Sequence, residues 1–325
     1  MNIRRNIYAT PLWVVFLIIF ILLDLFYGSR MSGSGEADIA VIITRIRLPR
    51  IITAIIAGSG LSLAGVQMQS ILRNPLADPH IMGISSGASL GAASATLIGG
   101  SIATGSVLQG LPVAIAAIAG ALLTSFIIIA AGKRLKSAMT LLIFGVMLGF
   151  IANAVITVMQ SNSNAESLKI FHSWSAGSFA TTSWREILIL STTLSAAVVL
   201  SAINHKGLDI ILFGDEFAEL ASISPQKTRF LALLSCCLIT GAVTAFCGPI
   251  GFVGITAPHI ARGFWKTSAH RTIIPASLLC GGTIGVAADL LSYTASIPIP
   301  ISSTMAIAGV PVILYILVKQ TGSEL

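Results

Sequence analysis

The sequence predicts an all-α polytopic membrane protein of about ten transmembrane helices, and its composition and apolar runs support that prediction. Of the 325 residues, 55% are hydrophobic and only 10% are charged, with a mean hydropathy of +0.92. A soluble domain carries a charge on about a quarter of its residues. The apolar residues also fall in runs of about 20, the length at which a helix spans a bilayer. We therefore expect a membrane bundle in contact with lipid, and no binding of nucleic acid despite the formal charge of +7.

The first apolar run covers residues 11–27 and follows Arg4 and Arg5. A cleaved signal peptide also places basic residues before an apolar run. This run is long for a signal peptide, however, and no small-residue cleavage site follows it. It is therefore predicted to be the first transmembrane helix, with its N-terminus on the cytoplasmic side.

Nine further apolar runs continue the pattern along the chain. The run at 252–264 is too short to cross a bilayer alone, which favours a tilted, broken or enclosed helix. All ten runs are expected to form one domain over residues 1–325. The nine further predicted helices lie near residues 51–72, 81–99, 112–132, 139–160, 186–203, 229–247, 252–264, 273–291 and 301–318.

The basic residues indicate the orientation of the bundle. With the N-terminus inside, 13 of the 19 Lys and Arg residues fall in inner segments. Cytoplasmic loops collect Lys and Arg, so both termini are expected in the cytoplasm. Three of the six outer basic residues crowd into the segment 45–50, RIRLPR. A positive cluster on the outer side needs a function other than topology.

Two acidic residues, Asp24 and Asp289, fall inside apolar runs near predicted outer helix ends. A charge at bilayer depth costs at least about 2.5–3.5 kcal/mol unless it is paired or lies near the interface. Two interpretations stay open: interfacial or locally hydrogen-bonded carboxylates, or a relay in a proton- or sodium-coupled secondary transporter. The scarcity of other ionisable groups near the predicted midplane argues against the relay.

The sequence offers little for catalysis. It contains no GxxxxGK[ST] motif, so the chain is not expected to bind ATP as a P-loop protein does. The four cysteines lie inside apolar runs and are interpreted as packing residues. We expect no catalytic residues, no metal site and no enzyme activity. A membrane enzyme is disfavoured because no acid, base, nucleophile or metal ligands converge in the sequence pattern.

The longest predicted inner loop, residues 204–228, contains a short amphipathic segment. Gly214 is suited to end one turn, and Asp215 with Glu216 favour the N-terminus of a helix through the macrodipole. Phe217 and Leu220 then share one face of that helix. Helices that lie on a membrane surface favour Lys and Arg. Because this one is acidic, docking into a partner protein is the preferred interpretation.

The linker between the second and third predicted helices, residues 73–80 (RNPLADPH), is a second distinctive segment. Its two prolines disfavour a helix, and Asn74 is a residue that caps or turns the chain. The simple interpretation is a plain turn. It lies, however, between two glycine-rich helices, which are suited to close packing in lipid, and this arrangement is more distinctive than an ordinary turn.

Several motifs extend along almost the whole chain. They are RLPR at 47–50, AGVQMQ at 64–69, NPLADP at 74–79, GISSGA at 83–88, GDE at 214–216, GFVGI at 251–255, APHIAR at 257–262, AD at 288–289 and GVP at 309–311. Together they resemble the FecCD-type permease subunits of ABC importers for iron–siderophores, haem and vitamin B12. Any one of these motifs alone would be weak.

The resemblance implies a vitamin-B12-importer-like bundle in the bacterial cytoplasmic membrane. Two permease copies, assumed identical, would lie side by side with a translocation path between them. Two cytoplasmic ATP-binding cassette subunits would bind ATP and Mg, while this chain binds no cofactor. A periplasmic or lipid-anchored substrate-binding protein would deliver the chelate, and ATP-driven alternating access would move it. Which chelate is carried stays open.

The resemblance also implies site residues at the two ends of the bundle. On the outer side, Arg47 and Arg50 match the arginines that receive carboxylates of the binding protein, whereas Tyr293 replaces a third arginine of the family. On the inner side, Ala221 and Ser222 replace the Leu-Gly that ends the family's coupling motif. The residues expected to couple the chain to the ATPase are Gly214, Asp215, Glu216, Phe217, Ala218 and Leu220.

Two further sets follow from the same resemblance. The cytoplasmic gate of the family is formed by the Asn-Pro-Leu linker and the start of the fifth helix, which here gives Asn74, Leu76, Ala138 and Met139. The path is lined by the fifth and tenth helices. The residues expected to line it are Met147, Asn153, Thr157, Ser302, Ser303 and Met305.

Overall fold

The computed structural model describes residues 3–30, 41–98, 110–135, 137–294 and 299–321, and over these ranges the chain is helical with short connections. Within them a π-helical turn, Ile43–Arg47, precedes α2, and a second, Ser94–Ile98, extends α3. The α-helices of the described residues are α1 Ile3–Arg30, α2 Leu48–Ile71, α3 Ile84–Ala93, α4 Gly110–Arg134, α5 Ala138–Ser161, α6 Ala165–Ser175, α7 Trp184–Ile211, α8 Asp215–Leu220, α9 Pro225–Cys247, α10 Val253–Trp265, α11 His270–Thr294 and α12 Ile301–Thr321.

The predicted all-helical membrane fold is confirmed. Among the described residues, seven helices are long and apolar enough to cross a membrane, and Ile84–Ile98 and Ile301–Pro311 form shorter apolar helices. Helix α10 has 13 residues. At 1.5 Å per residue it is about 20 Å long, shorter than the roughly 30 Å hydrocarbon core of a bilayer. The last residue of the predicted span 81–99, Gly99, lies outside the described residues.

Helix α2 is the centre of the bundle. Most of its residues are buried, and it packs against α7, α9, α10 and, most extensively, α11. The contact with α11 is close because small residues face each other: a Cβ on Gly58 would collide with the backbone of Gly281. Such close backbone approach holds helices together in lipid, where the hydrophobic effect supplies no attraction between them. Helices α1, α5 and α7 surround this core and leave most of their apolar side chains exposed.

The structure differs from the predicted loops in two places. The span expected at 186–203 continues as α7 to Ile211, because Asn204, Leu208 and Ile211 are buried at helical spacing and extend the helix by packing. The segment predicted as loop 204–228 is therefore mostly helical. A short helix that the apolar runs did not predict, α6, follows α5, and the side chain of Asn164 caps its start.

Candidate functional site

At one end of the bundle, charged residues from α1, α2 and α11 form ion pairs. The Arg50 Nε lies 2.8 and 2.7 Å from the two carboxylate oxygens of Asp289, and Arg50 Nη2 donates to Ser292 Oγ at 3.0 Å. Arg47 Nη1 lies 3.8 Å from Asp24 Oδ1. The chain therefore pairs both arginines of the RLPR motif with the two acidic residues that lie in apolar runs.

Tyr293 completes this group, which we call the outer ionic cluster (Asp24, Arg47, Arg50, Asp289 and Tyr293). Its ring centroid lies 5.0 Å from the guanidinium carbon of Arg47 and 4.6 Å from that of Arg50. Its hydroxyl donates to a carboxylate oxygen of Asp24. An aromatic face within about 6 Å of a guanidinium attracts it electrostatically. Tyr293 thus contacts both cations through its ring and one of the carboxylates through its hydroxyl.

The members of the outer ionic cluster differ in how deeply their side chains are buried. The carboxylates of Asp24 and Asp289 are 0% exposed, whereas the side chains of Arg47 and Arg50 are 14% and 18% exposed. Carboxylates buried to this extent persist only when they are paired and hydrogen-bonded. Of the two interpretations of these acids, the geometry favours local pairing, because each has a permanent cation beside it. The arginines keep an exposed edge.

At the other end of the bundle, α8 stands out from the membrane-spanning helices. Gly214, at φ 117°, precedes it in a backbone conformation that side chains disfavour. Ala218 is buried, while Phe213, Phe217 and Leu220 are 73%, 51% and 86% exposed. The predicted amphipathic face of this helix therefore points away from its own chain. Three large apolar side chains held out in this way form an exposed apolar tip, not part of the core, and we call it the docking tip after the interpretation given to it from the sequence.

The carboxylate of Asp215 points back to the bundle. Arg229 Nη2 of α9 donates to its two oxygens at 2.8 and 2.7 Å, and Arg73 Nη2 donates to Oδ1. Arg73 Nε also donates to the carbonyl oxygen of Ile211 at 2.9 Å. We call Arg73, Asp215 and Arg229 the Asp215 clasp. The sequence predicted a coupling function for Asp215 but did not identify either arginine, because residues far apart in the chain meet here.

The connection between α2 and α3, residues 72–83, contains the predicted gate residues Asn74 and Leu76, and we call it the gate linker. Within it the backbone N–H of Leu76 donates to Asn74 Oδ1 at 2.9 Å, so Asn74 forms the turn that its residue type predicts. His259 of α10 lies with Nε2 2.9 Å from the carbonyl oxygen of Pro75, which makes it a structural hydrogen-bonding residue. Burial raises the pKa of Asp78, and the hydrogen bond from the His80 backbone N–H opposes that rise.

The other half of the predicted gate lies at the start of α5. Ala138 is the first residue of that helix, and the side chain of Met139 is largely exposed. Gly83, at the end of the gate linker, packs so closely on Gly145 of α5 that a side chain there would meet the Gly145 backbone. The fold thus joins α5 to the gate linker, although none of the hydrogen bonds described here links the two halves of the predicted gate.

The predicted path residues differ in their exposure. Met147, Asn153 and Thr157 lie on the exposed side of α5, and Ser303 is exposed on α12. Ser302 is half-buried, and its hydroxyl donates to the carbonyl oxygen of Ala176 at 2.8 Å.

Met305 is the exception in this set. It is 2% exposed and lies in the apolar core of the subunit. Packing within the chain, on the side of α12 opposite to Ser303, buries its thioether. In this conformation Met305 therefore cannot line an exposed path.

One polar cluster went unpredicted. Ser70 Oγ lies 2.6 Å from His270 Nε2, and His270 Nδ1 lies 2.7 Å from Asp209 Oδ1. A serine, a histidine and an aspartate therefore do converge, contrary to the sequence argument against an enzyme. Ser70 is buried, however, and donates to the carbonyl oxygen of Val66 at 2.8 Å. A nucleophile needs access to a substrate, so the cluster ties α2, α7 and α11 together instead.

Comparison with known proteins decides the family. The family model described as FecCD transport family matches residues 13–319. The chain belongs to the FecCD transport family. It is 34% identical to the uncharacterized ABC transporter permease protein YvrB of Bacillus subtilis, over 89% of this chain and 82% of that protein. It is 30% identical to the vitamin B12 import system permease protein BtuC of Klebsiella pneumoniae, over 94% and 92% of the two chains.

The fold agrees with that of a solved ABC transporter. An ABC transporter described as metal-chelate type, in an inward-facing conformation, superposes with a TM-score of 0.82 at 27% identity and covers 94% of this chain and 97% of its own. This FecCD permease is accordingly a multi-pass membrane component of an ABC transporter without its own ATPase site. Membership of the family implies ATPase subunits and a substrate-binding protein as partners.

Proposed function

We propose that this permease carries a bulky metal chelate of the iron–siderophore, haem or cobalamin class into the cell. It would do so by alternating access, with ATP and Mg bound on two partner ATPases and no cofactor on this chain. Two identical permease copies would form the path in the bacterial cytoplasmic membrane, with both termini in the cytoplasm. Family membership supports the transport reaction, and the named B12 relatives support the class of solute.

The exposed apolar tip of α8 carries this proposal. A short helix that buries Ala218 and displays Phe213, Phe217 and Leu220 has the form of a knob that fits a groove in a partner. Glu216 is exposed beside these residues. Because a secondary transporter needs no such partner, the tip favours a transporter powered by a separate subunit. The Asp24 and Asp289 carboxylates, each beside an arginine, give no specific support to the gradient-driven alternative.

The exposed polar side chains of α5 support a path between two copies. Asn153 lies near the middle of α5 and is exposed. An amide that faces lipid at this depth is unfavourable, whereas one that faces a water-filled path or a second subunit is satisfied. Thr157, one helical turn further on, lies on the same side. These two residues therefore support a homodimer in which the α5 faces border the path.

On the outer side, the outer ionic cluster supports docking of a substrate-binding protein. Arg47 and Arg50 present guanidinium edges from a largely buried setting, which suits recognition of carboxylates on a partner. The carboxylates that pair with these arginines, those of Asp24 and Asp289, are inaccessible. An incoming acidic group would therefore add to the cluster without displacing either of them. Selectivity for the chelate would then lie mainly in the binding protein.

The test is uptake into proteoliposomes that contain the permease, its ATPase and the binding protein. Ferric siderophore, haemin and cyanocobalamin serve as separate probes. We expect concentrative uptake of one class of probe with Mg-ATP, and none with an ATPase that lacks its P-loop lysine. Uphill uptake by the permease alone, driven by a proton or sodium gradient, would establish the secondary transporter instead.

A further inference from the structure

The Asp215 clasp connects the docking tip to the gate linker. Arg73 is the residue immediately before Asn74 of the gate, and Asp215 is the first residue of α8. We propose that the clasp transmits the displacement of α8 to the gate linker, so that Arg73 and Arg229 are positioning residues for transport. This inference rests on the proposed function, since it assumes that an ATPase moves α8.

The contacts make Asp215 a shared acceptor. Arg229 binds both of its carboxylate oxygens, and Arg73, from the connection after α2, binds one of them. A carboxylate that accepts three hydrogen bonds, from one nitrogen of each of two guanidiniums, is held by both side chains at once. A shift of α8 therefore changes the positions of both arginines.

The backbone carries that shift into the gate linker. Arg73 has φ 49°, in the left-handed region that residues other than glycine rarely adopt. Its Nε bond to the carbonyl oxygen of Ile211 holds it against the end of α7. Asn74 follows directly, and its backbone N–H donates to the Gln69 carbonyl oxygen at 3.1 Å. Movement at the Arg73 side chain thus reaches the gate residue within one peptide unit.

Helix α10 holds the gate linker at a second point, away from the clasp. His259 holds the Pro75 carbonyl oxygen, and Arg262 Nη1 on the same helix lies 2.6 Å from Gln69 Oε1 of α2. Helix α10 is thereby tied to the central helix. The gate linker is held between α10, which is part of the core, and the clasp, which is attached to the projecting α8. Relative motion of α8 must therefore bend the linker.

Partial exposure indicates that the Arg73–Asp215 pair serves coupling more than folding, whereas the buried Arg229 anchors Asp215 to α9. The side chains of Arg73 and Asp215 are 39% and 37% exposed, and that of Arg229 is 10% exposed. Ion pairs in contact with water contribute little to stability. Three charged residues kept together at such a site, next to a strained backbone, point to a mechanical connection.

The experiment uses the complete transporter with spin labels on the permease. One label is attached through Leu76→Cys in the gate linker, and a second, in separate samples, through Ala221→Cys at the C-terminal end of α8, outside the docking residues. The four native cysteines are buried. Spectra are compared with and without Mg-ATP in the parent, Arg73→Gln, Asp215→Asn and the double variant. Glu219→Gln, which removes a charge from the exposed side of the same helix, is the matched control.

We expect the label on α8 to respond to Mg-ATP in every variant. The ATP-dependent change at the Leu76 label should fall by about tenfold in both single variants, which is the usual scale of coupling between sites. The double variant should show no further loss, because the two residues act through one contact. Glu219→Gln should behave as the parent.

A Leu76 label that responds normally in Arg73→Gln and Asp215→Asn would overturn the clasp. If Asp215→Asn folds poorly, Arg73→Gln alone still tests the clasp, because Asp215 retains Arg229 when Arg73 is lost. If Mg-ATP leaves the α8 label unchanged in the parent, no ATPase moves α8, and the proposed function fails together with this inference.

Discussion

The outer ionic cluster and the Asp215 clasp use the same side chains in two different surroundings. In the outer cluster the carboxylates of Asp24 and Asp289 are fully buried among α1, α2 and α11. In the clasp the carboxylate of Asp215 is partly exposed on a short helix that projects from the bundle. Buried pairs cannot separate without leaving an uncompensated charge, whereas half-exposed pairs can. We therefore expect the end that carries the outer ionic cluster to stay fixed and the end that carries the clasp to move.

The largest expected effect tests that difference directly. Arg50→Ala should lower the free energy of unfolding by about 3–5 kcal/mol, because it leaves the fully buried carboxylate of Asp289 without its ion-pair partner. Arg73→Ala, the matched variant at the inner end, should lower it by only about 0–1 kcal/mol, because Asp215 is partly exposed and keeps Arg229. Denaturant or thermal unfolding of the purified permease in detergent measures both. Equal losses at the two ends would contradict the comparison.

A smaller effect is expected at Tyr293. Tyr293→Phe keeps the aromatic ring over Arg47 and Arg50 but removes the hydroxyl that donates to Asp24. Hydrogen bonds to charged groups contribute about 1.5–3 kcal/mol, so the free energy of unfolding should fall by that amount. An unchanged stability in Tyr293→Phe would show that Asp24 does not depend on this donor.

The sequence contained part of the signal for the outer ionic cluster. Acidic residues in apolar runs need partners, and the unexpected basic segment 45–50 supplied the cations. The pairing itself was not predicted, because Arg50 and Asp289 are 239 residues apart and helix packing alone brings them together. Charge reversal at Arg50 would place a second carboxylate against buried Asp289. Docking is therefore better tested with neutral variants.

The inner end was predictable to a different extent. The acidic start and apolar face of α8 are local patterns, and they correctly gave a short helix with Phe217 and Leu220 on one side. Arg73 and Arg229 carry no such local pattern, since their importance arises where α2, α8 and α9 meet. Met305 shows the same limit: the resemblance placed it on a path helix, but packing of α12 decides which side of that helix is buried.

Docking of the binding protein gives the next prediction. Arg47→Gln should weaken its affinity by about tenfold, because it removes a charge-assisted hydrogen bond to an acidic group. Arg45→Gln, which removes an exposed charge from the same π-helical turn, should leave the affinity nearly unchanged. Titration of labelled binding protein onto the permease in nanodiscs measures both. Equal weakening by the two variants would indicate general electrostatic attraction instead of a specific site.

The smallest effect on stability is expected at the docking tip. Leu220 is 86% exposed, so Leu220→Ala should change the free energy of unfolding by less than about 0.5 kcal/mol. The same substitution should weaken association with the ATPase by about tenfold or more if the side chain enters a groove on the partner. Leu188→Ala, at an exposed leucine of α7 within the membrane-spanning part, is the matched control and should leave that association unchanged.

The free energy of unfolding and the association with the ATPase are measured on the same preparation, and together they decide the function of the docking tip. Normal stability with weakened association identifies Leu220 as a contact with the partner. Lowered stability would mean that the exposed face of α8 packs on its own chain, which would remove the distinction between a fixed outer end and a moving inner end. Normal association with normal stability would assign the binding surface elsewhere on the inner side, because an exposed leucine in a true docking groove cannot be shortened without loss of apolar burial.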